Sequence, residues 1–237
     1  MRKIGLLGGM SWESSRIYYD IMNREVQRRL GGLHSARIVL DSFDMAEIAA
    51  LQSSERWDEA ACLLAAAAVR LEEAGADAIA LATNTMHKCA PSIAAALRVP
   101  FLHIVDTLSA QLLADGRQHP LLLATRFTME QDFYRDRLRA CGLPLLLPSA
   151  EQRARLHSII YDELCRGMAT DQARRFIVSL ATEAARRGAD SVILGCTELC
   201  MVADGLTALP TYDSTAIHAR ALVDFALAEP EGQTQGS

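Results

Sequence analysis

The sequence predicts an α/β fold of two pseudo-symmetric subdomains, each a small parallel sheet flanked by helices, with a cleft between them. Three observations carry this. First, residues 75–85 (Gly-Ala-Asp-Ala-Ile-Ala-Leu-Ala-Thr-Asn-Thr) repeat as residues 188–198 (Gly-Ala-Asp-Ser-Val-Ile-Leu-Gly-Cys-Thr-Glu), which aligns Gly75 with Gly188 and Thr83 with Cys196, 113 positions apart in each case. Second, residues 4–11 resemble residues 121–128: each is an apolar run followed by a loop of small or hydroxyl residues. Third, short apolar runs alternate with longer Ala-rich or amphipathic segments along the whole chain, the signature of parallel strands covered by helices.

In order, the strands are expected at Ile4–Leu7, Arg37–Leu40, Ala78–Leu81, Phe101–Ile104, Leu121–Ala124, Leu145–Leu147, Val192–Leu194 and Leu209–Thr211. Each is a short run rich in Leu, Ile, Val or Ala, too brief for a helix and bounded by polar or turn residues. Helices are expected at Ser14–Leu30, Asp58–Ala74, Pro91–Leu97, Thr107–Ala114, Glu130–Ala140, Glu151–Arg166, Asp171–Arg187 and Thr215–Leu227. Gly75 and Gly188 follow helices and suit the left-handed residue that ends them. Thr170 and Ser214 are candidate N-caps. Residues 1–102 together with 208–230 form the first expected subdomain and 103–207 the second. The Pro-, Gly- and Gln-rich end, 229–237, is expected to be disordered.

Composition narrows the class of function. Half of the 237 residues are hydrophobic, enough for ordinary cores, and the net charge of −5 leaves no basic footprint for nucleic acid. No apolar run approaches the ~20 residues that span a bilayer. The six cysteines (62, 89, 141, 165, 196 and 200) lack disulfide or zinc spacing, which points to a reduced, cytoplasmic protein. Gly5, Gly8 and Gly9 do not fit the dinucleotide fingerprint, and there is no phosphate-binding P-loop. Nothing supports pyridoxal phosphate beyond a loop lysine, Lys88. The histidines at 34, 103, 119, 157 and 218 show no ligand spacing and are expected to be structural or superficial.

In open α/β sheets, ligands bind outside the carboxyl ends of the strands. Two loops from each half therefore converge on one cleft, and Thr83 and Cys196 face one ligand from opposite sides. Cys196 lies where a strand meets a helix, a position that lowers a thiol's pKa, and it is the candidate nucleophile or base. Burial as a structural cysteine is the default for Cys62 and Cys165. Thr83 carries a hydroxyl that donates a hydrogen bond or holds a water but is a poor general base. Asn84 and Thr85 offer side chains and N–H groups for a carboxylate, or simply cap the next helix. Gln52 and Arg166 lie near element ends, where either meets a ligand side chain.

Four segments together resemble the aspartate/glutamate racemase family over about residues 3–228: Gly-Leu-Leu-Gly-Gly-Met-Ser-Trp-Glu-Ser (5–14), Thr-Asn-Thr-Met-His-Lys (83–88), Ala-Thr-Arg-Phe-Thr-Met-Glu (124–130) and Gly-Cys-Thr-Glu (195–198). The resemblance implies a cofactor-free and metal-free enzyme with one thiol per domain on opposite faces of a substrate Cα. On this resemblance Cys196 matches the second catalytic cysteine, and Thr83 occupies the place of the first. Asn84, Thr85 and Thr197 match residues that hold the α-carboxylate and ammonium groups. Met10, Thr125 and Thr128 match pocket loops, and Gln52 a position near the substrate side chain. Some members of the family, acting on L-aspartate and L-glutamate, are similar in having threonine at the first position, so the resemblance implies an L-preferring acidic amino-acid racemase, homodimeric and free of cofactor. A single-thiol decarboxylase, a hydantoin or maleate isomerase, and a non-catalytic acidic amino-acid binding protein are the alternatives.

Overall fold

Two three-stranded parallel sheets form the frame of the computed structural model, which describes residues 1–203 and 208–229. In the first half, β1 (Ile4–Gly8) leads to α1 (Trp12–Leu30), then β2 (Ile38–Ser42), α2 (Met45–Ser53), α3 (Trp57–Glu73), β3 (Ala78–Leu81) and α4 (Ala90–Ala96). In the second, α5 (Ile104–Ala114) precedes β4 (Pro120–Ala124), α6 (Arg126–Glu130), α7 (Asp132–Ala140), α8 (Ala150–Ser158), α9 (Asp171–Arg186), β5 (Ser191–Gly195), α10 (Cys200–Ala203), β6 (Thr211–Asp213) and α11 (Ser214–Leu227). The strand orders are β2-β1-β3 and β4-β5-β6. β1, β3, β4 and β5 are buried along their whole length, as strands covered by helices on both faces must be.

The expected strands at Phe101–Ile104 and Leu145–Leu147 reduce to single parallel bridges, Ile79 to Phe101 and Leu121 to Leu146. These bridges restore the symmetry that the strand orders hide. With them the sheets run β2-β1-β3-Phe101 and Leu146-β4-β5-β6, so β1 corresponds to β4 and β3 to β5. At Phe101 the chain turns directly into α5, whose first residue, Ile104, was expected to end a strand.

Other differences have local causes. The expected helix over Glu130–Ala140 is split at Gln131, whose extended backbone (φ −87°, ψ 150°) ends α6 and caps α7. The expected helix over Glu151–Arg166 is regular only to Ser158. It continues as a π turn over Ile159–Glu163 and a 3-10 turn over Leu164–Arg166, ended by left-handed Gly167. The N-cap of α11 is Asp213, whose carboxylate accepts from the Thr215 and Ala216 N–H groups, while Ser214 is buried and donates to the Leu194 carbonyl at 2.8 Å. Thr170 does cap α9, and Gly75 and Gly188 are left-handed at φ 81° and 92°. Strand β6 pairs with β5 in the second sheet, although the division by sequence put residues 208–230 with the first half; α11 returns to pack on α1 and also on α5. The expected disordered tail lies, beyond Glu229, outside the described residues. No helix among the described residues is long and apolar enough to cross a membrane.

Behind β3 sit three buried histidines, His87, His103 and His218, with the His87 and His103 rings 4.5 Å apart. Their partners assign two tautomers. His218 donates from Nε2 to the Leu102 carbonyl at 2.9 Å and accepts the Tyr18 hydroxyl at Nδ1 at 2.8 Å. His87 donates from Nδ1 to the Thr83 carbonyl at 2.7 Å and accepts the Ile104 N–H at Nε2. Burial pushes all three down, His218 to about 4, His103 to about 3 and His87 well below its ordinary range. An unfolded histidine takes its proton near pH 6.5, so between that pH and the folded values the unfolded chain binds more protons. Their contribution is complete above about pH 6.5 and is lost as pH falls towards 4 and then 3. His218 alone supplies on the order of 3 kcal/mol, at about 1.4 kcal/mol per pH unit. The urea midpoint is therefore expected to fall steeply from pH 7 to pH 4.5; a flat profile would show that these rings are not held neutral.

Candidate active site

The loops leaving β1, β3, β4 and β5 meet in one cleft between the sheets, with about 520 Å³ of empty space partly open to solvent. Of the residues expected there, Met10, Gln52, Thr83 and Asn84 line it from the first half, along with Thr85. Thr125, Cys196 and Thr197 line it from the second. Thr128 is buried just behind the wall.

The β1 loop depends on Gly9, at φ 78°. A Cβ there would stand 2.1 Å from the Phe43 carbonyl oxygen and 2.4 Å from the Phe43 nitrogen, and backbone cannot yield as a side chain can. Gly9→Ala is expected to cost about 3 kcal/mol or more, from the strained φ together with overpacking, read as a fall in unfolding midpoint. A loss below about 1 kcal/mol would mean that the loop has room to rebuild. Two residues on, Ser11 holds a positive φ of 116° without being glycine, and its hydroxyl donates to Glu198 Oε1 at 3.1 Å. Ser14, at the start of α1, shares a 2.6 Å hydrogen bond with the Thr197 hydroxyl.

Three hydroxyls close the opposite side. Thr85 lies 3.1 Å from both Thr125 and Thr128, which are 3.2 Å from one another. This triangle joins the β3 loop to the β4 loop, and its three hydrogens can all be held within it; only Thr85 and Thr125 line the cleft, so those two can turn their hydrogens to an anion. The Asn84 amide is largely committed, donating to Ser214 at 3.1 Å and accepting from the Tyr134 hydroxyl at 3.2 Å. It leaves one amide hydrogen for a ligand. Thr83 is anchored from behind through its carbonyl by His87.

Cys196 is not the low-pKa thiol that its place at a helix start suggested. Only a 3-10 turn over Thr197–Leu199 and the four-residue α10 follow it, so the dipole is short. Its Sγ donates to Glu198 Oε2 at 2.9 Å, and burial together with the Glu198 carboxylate pushes the thiol well above the ordinary cysteine range. Glu198 is the functional candidate to which the sequence reading assigned no role, although it closes the repeated Gly-Cys-Thr-Glu segment. Its buried carboxylate collects three donors: Cys196, Thr197 at 2.6 Å and Ser11. Cys165, expected to be a buried structural cysteine, is exposed as a residue and lines the cleft; burial of its sulfur and Glu198 push it up to about 12. Tyr161 lines the cleft from the π turn, a position no periodicity reveals. Arg166 lies outside the cleft, in an adjoining recess, and Lys88 packs its ammonium 4.1 Å from the Trp57 ring centroid.

Comparison with known proteins agrees with this fold. The family pattern described as Asp/Glu/hydantoin racemase matches residues 7–222. A broad specificity amino-acid racemase, RacX, of Bacillus subtilis (strain 168) is 31% identical over 162 residues, covering 68% of this chain and 70% of the relative. A crystal structure from Yersinia pestis, assigned to the Asp/Glu racemases, superposes with a TM-score of 0.92 at 43% identity, covering 96% of this chain and all of the other. An aspartate racemase homologue from Pyrococcus horikoshii OT3 superposes with a TM-score of 0.83 at 33% identity, over 95% and 99% of the two chains.

Proposed function

Because the chain belongs to the Asp/Glu/hydantoin racemase family, whose members include amino-acid racemases, we propose that it inverts an amino acid at Cα with the Cys196 thiol on one face and the Thr83 side of the cleft on the other. One observation carries the reading. A thiol hydrogen-bonded to a carboxylate, a threonine related to it by the repeat, and the paired hydroxyls of Thr85 and Thr125 all border one cleft between two matching sheets.

In this reading the substrate's α-carboxylate lies against the Thr85 and Thr125 hydroxyls, which stabilise the charge that develops when Cα loses its proton. The Cys196 proton passes to Glu198 Oε2, and the thiolate so formed takes the Cα proton. Arrival of the substrate ammonium offsets the repulsion that holds the thiol protonated in the free enzyme. The carbanion is then reprotonated from the Thr83 side, by the hydroxyl or a water it holds, and the base so formed regains its proton from solvent as Glu198 releases the one it took; otherwise the carbanion takes its proton back from Cys196 and returns to the starting enantiomer. The thiol serves the L-enantiomer, following the resemblance to members with threonine at the first position. Aspartate and glutamate are the substrates the resemblance implies, whereas the Bacillus relative carries a name for broad specificity. No cofactor enters this scheme, and a cytoplasmic homodimer completes it. Chiral chromatography of L-amino acids incubated with the enzyme tests it: slow appearance of the D-form without added cofactor is expected, and no inversion of any member of a panel would refute it.

A further inference from the structure

We propose that the cleft selects amino acids with neutral side chains over aspartate and glutamate, so that asparagine and glutamine outperform the acids of the same shape. The inference rests on the racemase reading above and adds a substrate class to it.

The argument is one of charge. Away from the polar loop ends, the wall is made by Met10, Met45, Gln52, Ile160, Tyr161 and Cys165, all uncharged side chains. Among the described residues no Lys, Arg or His lines the cleft, and its one charged side chain is Glu198, an acid. Residues 204–207 and 230–237 contain no Lys, Arg or His, so no cation of this chain is left out of the count. Every α-amino acid brings one ammonium and one carboxylate, which the loops can meet. Aspartate and glutamate bring a second carboxylate, and that group finds no cation and shares the cleft with Glu198. A carboxylate taken from water without a partner carries a large desolvation cost, and a neighbouring like charge adds to it. A neutral side chain avoids both.

The nearest cations stand outside. Arg16 and Arg166 line the adjoining recess, with Arg16 hydrogen-bonded to Glu13 at 3.0 Å. Arg126 lines another recess beyond Gln52 and Tyr161, its guanidinium 5.7 Å from the Phe127 ring centroid. What the wall does offer is Gln52, a buried amide whose Nε2 donates to the Met86 sulfur at 3.0 Å. A thioether is a weak acceptor, so little is lost when that amide turns to a better partner. An amide or hydroxyl on the substrate matches it, because Gln52 both donates and accepts.

The test compares isosteres. Cα deuterium exchange is measured for L-Asn against L-Asp and for L-Gln against L-Glu, with binding of the same four by calorimetry. The neutral member of each pair is expected to lead by at least about tenfold in kcat/KM and in affinity. Gln52→Lys, or Met45→Lys at a half-buried position if the first variant folds poorly, is expected to move the ratio towards the acids by about tenfold or more. Acids that exchange and bind as well as their amides would overturn the proposal and leave the racemase reading intact. Absence of exchange with every amino acid would refute the racemase reading, and calorimetry would still decide this one: tighter Asn than Asp supports a neutral side-chain subsite, and the reverse overturns it.

Discussion

Cys196→Ala is expected to reduce Cα-proton exchange by about 10²–10⁴-fold, the range that loss of a positioned proton-transfer group produces. Among the described residues no other group around the cleft is placed to take over. The Thr83, Thr85 and Thr125 hydroxyls are too weakly acidic to supply an alkoxide. Cys165 and the Tyr161 hydroxyl are each pushed up to about 12, and Glu198 is already engaged by Ser11 and Thr197. Cys196→Ser should fail almost as completely, since its hydroxyl meets the same obstacle. The raised pKa adds a second expectation. In the free enzyme, alkylation of Cys196 by iodoacetamide should be slow at pH 7 and still be rising past pH 9, because desolvation and Glu198 both favour the thiol. Glu198→Gln removes the like charge and should speed alkylation at fixed pH, yet it should slow exchange, because the proton acceptor is gone. Mass spectrometry must separate Cys196 from the exposed Cys62, Cys141 and Cys165. Undiminished exchange in Cys196→Ala would remove the thiol from the chemistry.

Thr83→Cys is expected to raise net inversion, by as much as about 10²-fold where proton transfer limits the rate. Enantiomers have equal free energy, so the enzyme cannot run from L to D alone, and the kcat/KM values of the two directions must match. A single thiol can nonetheless exchange the Cα proton quickly on its own face while inversion waits for the other. A thiol at position 83 would supply that face, and D-enantiomers should then begin to exchange. The repeat also sets a ceiling on the gain. Glu198 corresponds to Thr85, so a thiol at 83 would have no carboxylate in the equivalent place to take its proton. It would also escape the repulsion that raises Cys196. Thr83→Ala is expected to keep exchange of the L-form and to lose inversion. Unchanged inversion and D-exchange in both variants would mean that position 83 does not face the carbon.

Much of this architecture was legible because strand and loop chemistry repeat. The four loops could be assigned to one cleft from Gly75 and Gly188, from the apolar runs before Thr83 and Cys196, and from the matching loops at Gly8 and Thr125. What escaped depends on tertiary neighbours. Met45–Ser53 carries too weak an amphipathic signal to read as a helix, so Gln52 could be placed near a ligand only by its position near an element end and by resemblance, without the helix that carries it. The strands at Phe101 and Leu146 had the right positions but keep a single bridge each, since α5 begins three residues after Phe101 and Leu146 lies in a short extended stretch before α8. The pKa of Cys196 was read with the wrong sign. The rule for helix starts assumes a solvated thiol and a helix of some length, whereas here burial and a carboxylate two residues away prevail over a 3-10 turn. The absence of a cation among the described residues of the cleft is a property of the assembled wall and of no single motif.

The account is tested most directly by proton NMR of paired L- and D-amino acids in deuterated water with the unmodified enzyme, reading Cα exchange and inversion separately. One thiol on one face predicts rapid deuterium wash-in to the L-form, little wash-in to the D-form, and inversion far slower than L-exchange. Equal exchange of both enantiomers at the rate of inversion would contradict it, because that outcome requires two equivalent bases facing Cα.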